Sequence, residues 1–217
     1  MVINLSDQHS LVSNWVSELR HIDKQVDRMR FRRNLERIGE VAAYEISKLL
    51  AWQEIEVPTP LGVHNSKVLV QQPILATILR AGLPLHQGML NYFDHADNGF
   101  VSAYRKHHLD GSFEIKLEYI SCPSVNNRVL ILCDPMIATG SSLVTAIEAL
   151  KTLGQPESIH IVSAIACSDG IDYVIRECGD ELNFWCGDID EELTAKGYIV
   201  PGLGDAGDLS FGTKKQY

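Results

Sequence analysis

The feature that most constrains the fold is Val129–Cys133, a run of apolar residues followed by a polar loop and a helical pattern. A strand that is apolar on both faces is typical of a parallel sheet with helices on each side. Similar apolar runs lead into helical patterns at Ile74–Leu90 and Ile159–Cys178, and Leu182–Cys186 adds another strand. The sequence therefore predicts an α/β fold with a mainly parallel sheet flanked by helices.

The remaining segments predict smaller additions to this sheet. Residues 7–50 place apolar side chains at helical spacing, which predicts a helical N-terminal arm within about residues 1–50. Proline and glycine between Ile55 and Val70 predict short strands and turns, as in a small flap. Further strands are expected at Gly99–Tyr104 and Phe113–Ile120. A length of 217 residues suits a single domain.

Charge and cysteine content argue against several kinds of partner and compartment. The formal net charge is −9, which argues against nucleic acid as the main partner, because binding phosphate backbones needs Lys and Arg. No apolar run approaches the ~20 residues that span a bilayer, so no membrane partner is predicted. The N-terminus lacks the pattern of a signal peptide. Five cysteines without CxxC spacing predict free thiols in a reducing cytoplasm.

A loop of small and hydroxyl residues follows the strand Val129–Cys133 and runs into a helical pattern. In parallel sheets ligands bind beyond the carboxyl ends of the strands, and N–H groups at a helix start bind phosphate. The carboxylate of Asp134 is placed to hydrogen-bond two sugar hydroxyls. A plain strand-to-helix turn, capped by an Asp and a Thr, is the alternative. The loop consists of Asp134, Pro135, Met136, Ile137, Ala138, Thr139, Gly140, Ser141 and Ser142.

Two further segments carry basic side chains toward the same edge of the predicted sheet. Arg80 follows an apolar run and precedes Gly82, so its planar guanidinium could bind an anion in the crevice, or it could simply cap a helix. Residues Tyr104–His108 form a basic island in an acidic chain, which predicts either a solvated loop or a lid over a polyphosphate. The two adjacent histidines of this island are poorly spaced for a metal, so no protein metal site is predicted there.

A glycine-rich segment near the C-terminus contains Gly202, Gly204 and Gly207 in G-x-G-x-x-G spacing. Too little chain follows for the helix and strand of a dinucleotide-binding unit. Exposed backbone groups of such a loop could instead read the edge of a planar ring. The acidic run at residues 188–192 is interpreted as a solvated helix start rather than a metal site.

Together these segments resemble the uracil phosphoribosyltransferases, a branch of the type I phosphoribosyltransferases. The last of them is specific to the uracil branch, and the resemblance covers nearly the whole chain. The segments that carry it are Ile78–Leu83, Tyr104–Arg105, Asp134–Ser142, Gly197–Asp208 and Phe211–Lys214. The resemblance implies the type I fold with N-terminal helices, a small hood and a base-binding loop at about residues 197–213.

The resemblance also implies a reaction and a set of site residues. Uracil and 5-phosphoribosyl 1-diphosphate would give UMP and diphosphate in pyrimidine salvage, with Mg²⁺ held mainly through the substrate. Asp134, Arg80 and Arg105 would be catalytic. The phosphoribosyl diphosphate would be bound by Arg80, Arg105, Asp134, Pro135, Met136, Ile137, Ala138, Thr139, Gly140, Ser141, Ser142 and Asp205. Uracil would be read by Ile199, Gly204, Asp205 and Ala206. Residues 105–122 would form a lid.

Other properties are carried over as hypotheses. Some family members are activated by GTP, so a GTP effector and allosteric control are hypotheses here. A homo-oligomer, dimer or tetramer, is expected, with the helical segment Asp7–Leu50 as one candidate interface. Many members have Gly where this chain has Ser141, and Cys133 before Asp134 leaves a single carboxylate for the ribose. The alternatives are a non-catalytic, UMP-responsive RNA-binding regulator on the same fold and the same chemistry on a purine base.

Overall fold

A computed structural model of the protein describes residues 1–107 and 113–214. In chain order the helices and strands are β1 (Val2–Asn4), α1 (Leu11–Arg20), α2 (Arg28–Ser47), β2 (Trp52–Thr59), β3 (Gly62–Leu69), β4 (Ile74–Leu79), α3 (Leu83–Leu90), β5 (Asp97–His107), β6 (Phe113–Ser121), β7 (Val129–Cys133), β8 (Met136–Ile137), α4 (Ser141–Lys151), β9 (Ser158–Cys167), α5 (Ser168–Cys178), β10 (Leu182–Asp190), β11 (Glu192–Leu193), β12 (Ile199–Val200) and α6 (Ala206–Phe211).

The central sheet has the strand order β1-β10-β9-β7-β4-β5-β6, with β8 pairing with β9. Every neighbouring pair is parallel except β5 and β6, which are antiparallel. The mainly parallel α/β fold predicted from the sequence is therefore confirmed. The strand predicted at Val129–Cys133 agrees with β7, and the apolar run that begins at Ile74 forms β4.

Helices cover the sheet on both faces, and the apolar runs supply a side chain to each face in turn. Along β7, Ile131 packs in the cluster formed with α1, α2 and α3. Its neighbours Leu130 and Leu132 pack in the opposite cluster, formed with α4 and α5. This alternation is why the strand must be apolar at every position, since neither face meets water.

The N-terminal arm differs in part from its prediction. Strand β1 precedes the two helices and pairs with β10, as at Asn4 with Cys186. Helix α1 begins after Ser10, whose hydroxyl accepts a hydrogen bond from Val12 N at 3.2 Å. Helix α2 begins after Asp27, whose carboxylate accepts from Arg30 N at 3.0 Å. A three-residue strand carries too short a pattern to be predicted from sequence alone.

The acidic run at residues 188–192 does not begin a helix, so that prediction is wrong. Asp188 and Asp190 belong to β10, which continues alongside β9 with Asp190 opposite Cys167. Arg20 of α1 pairs with both carboxylates, at 2.9 and 2.7 Å, which reduces the repulsion between them within the strand.

Two small two-stranded sheets lie outside the central one. Strands β2 and β3 form an antiparallel hairpin in which Thr59 pairs with Gly62, as the predicted short strands and turns require. Strands β11 and β12 pair antiparallel near the C-terminus. Within residues 1–107 and 113–214, no helix combines the length and apolar character needed to cross a membrane.

Candidate active site

A cleft of about 1190 Å³ opens beyond the carboxyl ends of β4 and β7. It is also lined by the loop that precedes α4, by the turn between β11 and β12 and by the start of α6. This is the edge of a parallel sheet at which ligands are expected. The predicted site residues that line the cleft are Arg80, Asp134, Pro135, Met136, Ala138, Thr139, Ser142, Ile199, Gly204, Asp205 and Ala206.

The loop between β7 and α4 leaves the start of α4 open to a ligand. Asp134 N donates to Val162 O at 3.1 Å, which keeps the loop on the sheet as it turns away. Helix α4 begins after Gly140, whose φ is 78° and which has no side chain to cap the helix, although Ser141 N lies 3.5 Å from Thr139 Oγ1. The first N–H groups of an α-helix have no partner within the helix, so this start can bind an anion.

Two glycines allow this loop to pack closely against α5. A Cβ on Gly140 would lie 2.6 Å from Gly170 O, and a Cβ on Gly170 would lie 2.1 Å from Ala138 O. Gly140 is therefore buried beneath the loop and does not line the cleft, and Ile137 likewise points into the core. Gly170 is a supporting residue that the sequence analysis missed, although a glycine in the first turn of a helix is a signal for such close packing.

Hydroxyl groups face each other along the loop. Thr139 Oγ1 lies 3.2 Å from Ser141 Oγ. Thr139 and Ser142 line the cleft, whereas Ser141 does not and contacts the ligand-facing Thr139 instead. The extra hydroxyl of Ser141 is thus placed to orient a neighbour.

The loop after β4 brings Arg80 to the same cleft. Gly82 allows close packing against β7, since a Cβ there would lie 2.2 Å from Thr77 Oγ1 and 2.8 Å from Cys133 O. The peptide bond before Arg80 is cis. Arg80 Nη2 donates to Asp208 Oδ1 at 3.0 Å and to Gly212 O at 2.6 Å, while its buried Nε has no protein partner within the described residues. Arg80 therefore joins the cleft floor to the C-terminal segment.

The C-terminal segment is more ordered than a loop. Within the predicted residues 197–213, the structure has β12, a cis bond before Pro201, and the helix α6. The Asp205 carboxylate caps α6 by accepting from Asp208 N at 2.9 Å, and its other oxygen lies 3.4 Å from Lys214 Nζ. Gly202 has a φ of 57°, and a Cβ there would lie 2.3 Å from Ile199 O, so the turn needs glycine.

The cleft also has lining residues that the sequence analysis did not predict as ligand contacts. The turn from Leu193 to Tyr198 lines one side, and Ser102 and Lys214 line others. Lys214 belongs to the segment that carried the family resemblance, but no role was predicted for it. The polar turn lacks a hydrophobic pattern, so only the pairing of β11 with β12 reveals its position.

The basic island lies partly outside the residues that the structure describes. The backbone of Arg105 belongs to β5 and pairs with Ile115 of β6, but the Arg105 side chain lies outside the described residues. Residues 108–112 of the predicted lid also lie outside them. The predicted contacts of Arg105 and the predicted lid therefore stay predictions.

The charges that line the cleft include both signs. Arg80 and Lys214 face it together with the carboxylates of Asp134 and Asp205. The neighbouring Cys133 is fully buried, and burial raises the pKa of its thiol well above the usual range, so it is a neutral packing residue. Among the side chains that the structure describes, no three His, Cys, Asp or Glu residues are grouped to hold a metal ion.

Comparisons with known proteins identify relatives over nearly the whole chain. The sequence model of the family described as "Uracil phosphoribosyltransferase" matches residues 5–213. A uracil phosphoribosyltransferase of Porphyromonas gingivalis is 51% identical over 213 residues, which are 98% of this chain and 99% of the relative. One from Methanothermobacter thermautotrophicus is 38% identical over 86% of each chain.

Solved structures share the fold. The AQ2163 protein from Aquifex aeolicus superimposes with a TM-score of 0.87 and 30% identity over 98% of both chains. A hypoxanthine phosphoribosyltransferase from Staphylococcus aureus superimposes with a TM-score of 0.50 over 86% of this chain and 84% of its own, at 14% identity. The second likeness concerns the fold alone.

Proposed function

This chain belongs to the uracil phosphoribosyltransferase family, and we propose that the cleft is where it joins uracil to 5-phosphoribosyl 1-diphosphate. It is a glycosyltransferase of pyrimidine salvage that forms UMP and releases diphosphate. The observation that carries the proposed location is that the open start of α4 and the glycine-rich C-terminal segment line one cleft. A nucleoside monophosphate has a phosphate at one end and a base at the other, which matches this division.

The phosphate end of the substrate is assigned to the loop before α4. The N–H groups at the start of α4, with the Thr139 and Ser142 hydroxyls, would bind the 5-phosphate. Asp134 lies where the strand ends and would accept hydrogen bonds from the ribose hydroxyls. Binding at both ends would fix the position of ribose C1 relative to the base, and positioning of this kind lowers a bimolecular barrier.

The diphosphate is assigned to the arginines. When the bond between ribose C1 and the diphosphate oxygen breaks, positive charge grows on the ribose and negative charge on the leaving group. Arg80 lines the cleft, and we assign it and Arg105 to that growing negative charge. Preorganised cations are worth more in a closed, dry site than in water, and losing one such contact typically slows a reaction by about 10²–10³-fold.

Uracil is assigned to the C-terminal segment. Ile199, Gly204, Asp205 and Ala206 line the cleft next to each other and would present backbone donors and acceptors to the edge of the ring. Because the Asp205 carboxylate is held by Asp208 N and Lys214, its backbone is fixed where it meets the base. Uracil N1, once oriented, attacks ribose C1 directly, so no side-chain nucleophile is required.

Mg²⁺ fits the cleft through a single carboxylate and the substrate. Mg²⁺ is commonly held by one or two carboxylates together with substrate phosphates and water. We propose that the phosphoribosyl diphosphate itself holds most of this ion's ligands, with the Asp134 carboxylate, which we assign to the ribose hydroxyls, as the nearest acid of the phosphate loop. The bound ion would neutralise charge on the leaving diphosphate.

Several narrower properties remain proposals. We propose that the chain acts as one domain, with the N-terminal arm and C-terminal segment as parts of it. Cytoplasmic placement is supported by its five free cysteines. A GTP effector, allosteric control, a dimer or tetramer, and a lid over residues 105–122 follow from the family resemblance.

The direct test is to incubate the purified protein with Mg²⁺, 5-phosphoribosyl 1-diphosphate and each nucleobase in turn, separating the products by chromatography. We expect UMP from uracil alone. A purine nucleotide would overturn the assignment of the base-reading segment. UMP binding without formation of any nucleotide would favour a regulator over an enzyme.

A variant pair tests the location of the site. Asp134→Asn should lower turnover by about a hundredfold or more, as for a lost transition-state contact, while the protein stays folded. Asp94→Asn is the matched control because Asp94 is exposed and does not line the cleft. Full activity of the Asp134→Asn variant would contradict the proposed site.

A further inference from the structure

A cluster of charges joins the first helix to the segment assigned to uracil. Arg20 is the last residue of α1, and Asp190 is the last residue of β10. Arg20 Nη1 and Nη2 donate to the two oxygens of Asp190 at 2.8 and 2.7 Å, which is a bidentate pair. Nη2 also donates to Asp188 Oδ2 at 2.9 Å. These bidentate hydrogen bonds therefore fix the relative orientation of Arg20 and Asp190.

The cluster is largely shielded from water. The Asp190 side chain is 7% exposed and that of Arg20 is 18% exposed. Burial by itself lowers the pKa of Arg20, but hydrogen bonds to Asp190 and Asp188 raise it above the usual value. A pair of this kind costs desolvation, so it is weak evidence for stability, and a geometric role explains it better.

The same two side chains hold both backbone groups of Gly202. Asp190 Oδ2 accepts from Gly202 N at 3.0 Å, and Arg20 Nη1 donates to Gly202 O at 3.0 Å. Gly202 is the left-handed turn residue between Ile199 and Gly204, which both line the cleft. A shift of Gly202 would move these two backbone segments relative to each other.

Packing beneath the turn supports the same connection. Ile199 and Leu203 are buried in the same apolar cluster as Val16 and Leu19 of α1. Helix α1 and the turn thus share one apolar cluster, and Arg20 is the residue of α1 that hydrogen-bonds the turn directly.

We propose that Arg20, acting through Asp190, is a positioning residue for uracil, because it fixes the Gly202 turn that presents Ile199 and Gly204 to the base. The proposal rests on the proposed role of that segment in reading uracil. Arg20 does not line the cleft, so it acts on the base only through the backbone it holds.

Another ion pair of α1 provides a matched control. Arg30 of α2 makes a bidentate pair with Glu18 of α1, through Nε at 2.7 Å and Nη2 at 2.9 Å. It joins the same helix to its neighbour but makes no hydrogen bond to the turn at Gly202. A purely structural role for Arg20 would make the two arginines equivalent.

The test compares steady-state kinetics of the wild type with Arg20→Gln, Arg20→Lys and Arg30→Gln. For Arg20→Gln we expect the KM for uracil to rise about ten- to a hundredfold, the usual weight of hydrogen bonds to charged groups. The KM for 5-phosphoribosyl 1-diphosphate should stay within about twofold, since no contact of that site is lost. The KM of Arg20→Lys for uracil should lie between those of the wild type and Arg20→Gln, because Lys keeps the positive charge but not the planar guanidinium that donates two parallel hydrogen bonds.

Amide hydrogen exchange provides a readout that does not depend on turnover. In Arg20→Gln, residues 199–207 should exchange faster while β9 keeps its wild-type protection. In Arg30→Gln, residues 199–207 should exchange as in the wild type. Equal increases in both KM values, or equal effects of Arg20→Gln and Arg30→Gln, would overturn the proposal.

Two further experiments distinguish a failure of this proposal from a failure of the proposed function. If wild-type protein forms no UMP, the function fails, yet UMP binding and exchange at residues 199–207 still report on Arg20. If Arg20→Gln does not fold, Asp190→Asn serves instead, because it keeps one acceptor oxygen for Gly202 N but removes the charge and one of the two oxygens that accept from Arg20. Asp190→Asn should raise the KM for uracil several-fold. An unchanged KM would overturn the proposal.

Discussion

The two loops of the cleft are built in different ways. In the loop before α4, two of the side-chain hydrogen bonds join residues only two apart, Met136 N with Asp134 Oδ1 and Thr139 Oγ1 with Ser141 Oγ. The C-terminal segment is held across the chain, by Arg20 at Gly202 and by Arg32, which donates to Ser210 O at 2.7 Å. Those partners are 182 and 178 residues apart. The phosphate loop is thus held by backbone contacts to β9 and close packing against α5, whereas the base segment is held by side chains of the N-terminal helices.

The largest expected effect comes from the close packing of the phosphate loop against α5. Gly170→Ala would place a Cβ 2.1 Å from Ala138 O and push the loop off α5. A displacement of about 1 Å in a positioning element can cost 10²-fold, so we expect kcat/KM to fall by about that factor. Steady-state kinetics would measure this loss.

Gly62→Ala is the control for that experiment because a Cβ there meets nothing within 4 Å. Its kinetics should match the wild type. If Gly170→Ala were as active as Gly62→Ala, the position of the phosphate loop would not depend on its packing against α5.

A smaller effect is expected where the loop after β4 meets the C-terminal segment. Asp208 lies in α6, yet its carboxylate accepts a hydrogen bond from Arg80. Asp208→Asn should raise the KM for 5-phosphoribosyl 1-diphosphate by about five- to tenfold, because a charged partner of Arg80 is lost. Glu177→Gln, which breaks the exposed pair with Arg176, is the control. An unchanged KM in Asp208→Asn would show that Arg80 is positioned without this contact.

Acid should weaken the sheet itself rather than either loop. His160 of β9 is buried, and its Nδ1 accepts from Trp185 Nε1 at 3.2 Å. Burial, together with the N-terminal ammonium, lowers the pKa of His160 from 6.5 to about 4. Between about pH 6.5 and pH 4, the His160 imidazole is therefore protonated in the unfolded chain but neutral in the folded chain. The free energy of unfolding should therefore decrease by roughly 1 kcal/mol for each unit by which the pH is lowered across that window.

Urea unfolding at several pH values would measure this slope. His160→Gln should flatten it, while His95→Gln, at an exposed position, should leave it unchanged. A slope that stays the same in His160→Gln would assign the acid sensitivity to another group.

The smallest effect is expected within the phosphate loop. Ser141→Gly removes the hydroxyl that lies beside Thr139 Oγ1. A neutral hydrogen bond contributes about 1 kcal/mol, so the KM for 5-phosphoribosyl 1-diphosphate should rise about two- to fivefold. Initial-rate measurements at saturating uracil would check this. An unchanged KM would mean that the serine adds nothing to phosphate binding.

The difference between the loops explains what the sequence could predict. The strands β4 and β7 and the loop at Asp134 were predictable, because an apolar run, a carboxylate and a helix start are all contiguous. Helix α6 had a local signal that was missed, since Asp205 is followed by Asp208, whose N–H it caps. That pattern was interpreted as part of a loop.

Other features had no local signal. Strand β1 is three residues long and gains its partner from β10, far along the chain. Asp188 and Asp190 indicate a solvated segment until Arg20 is placed beside them. Periodicity describes neighbours in sequence, so the anchoring of the base segment by α1 could not be predicted from it.

The central claim is that the phosphate loop and the base segment bind separate halves of UMP. Calorimetric titration of UMP and ribose 5-phosphate into wild type, Thr139→Val and Arg20→Gln tests it most directly. We expect Thr139→Val to weaken the binding of both ligands, and Arg20→Gln to weaken the binding of UMP by about tenfold or more while leaving that of ribose 5-phosphate unchanged. Equal weakening of the two ligands in Arg20→Gln would contradict it.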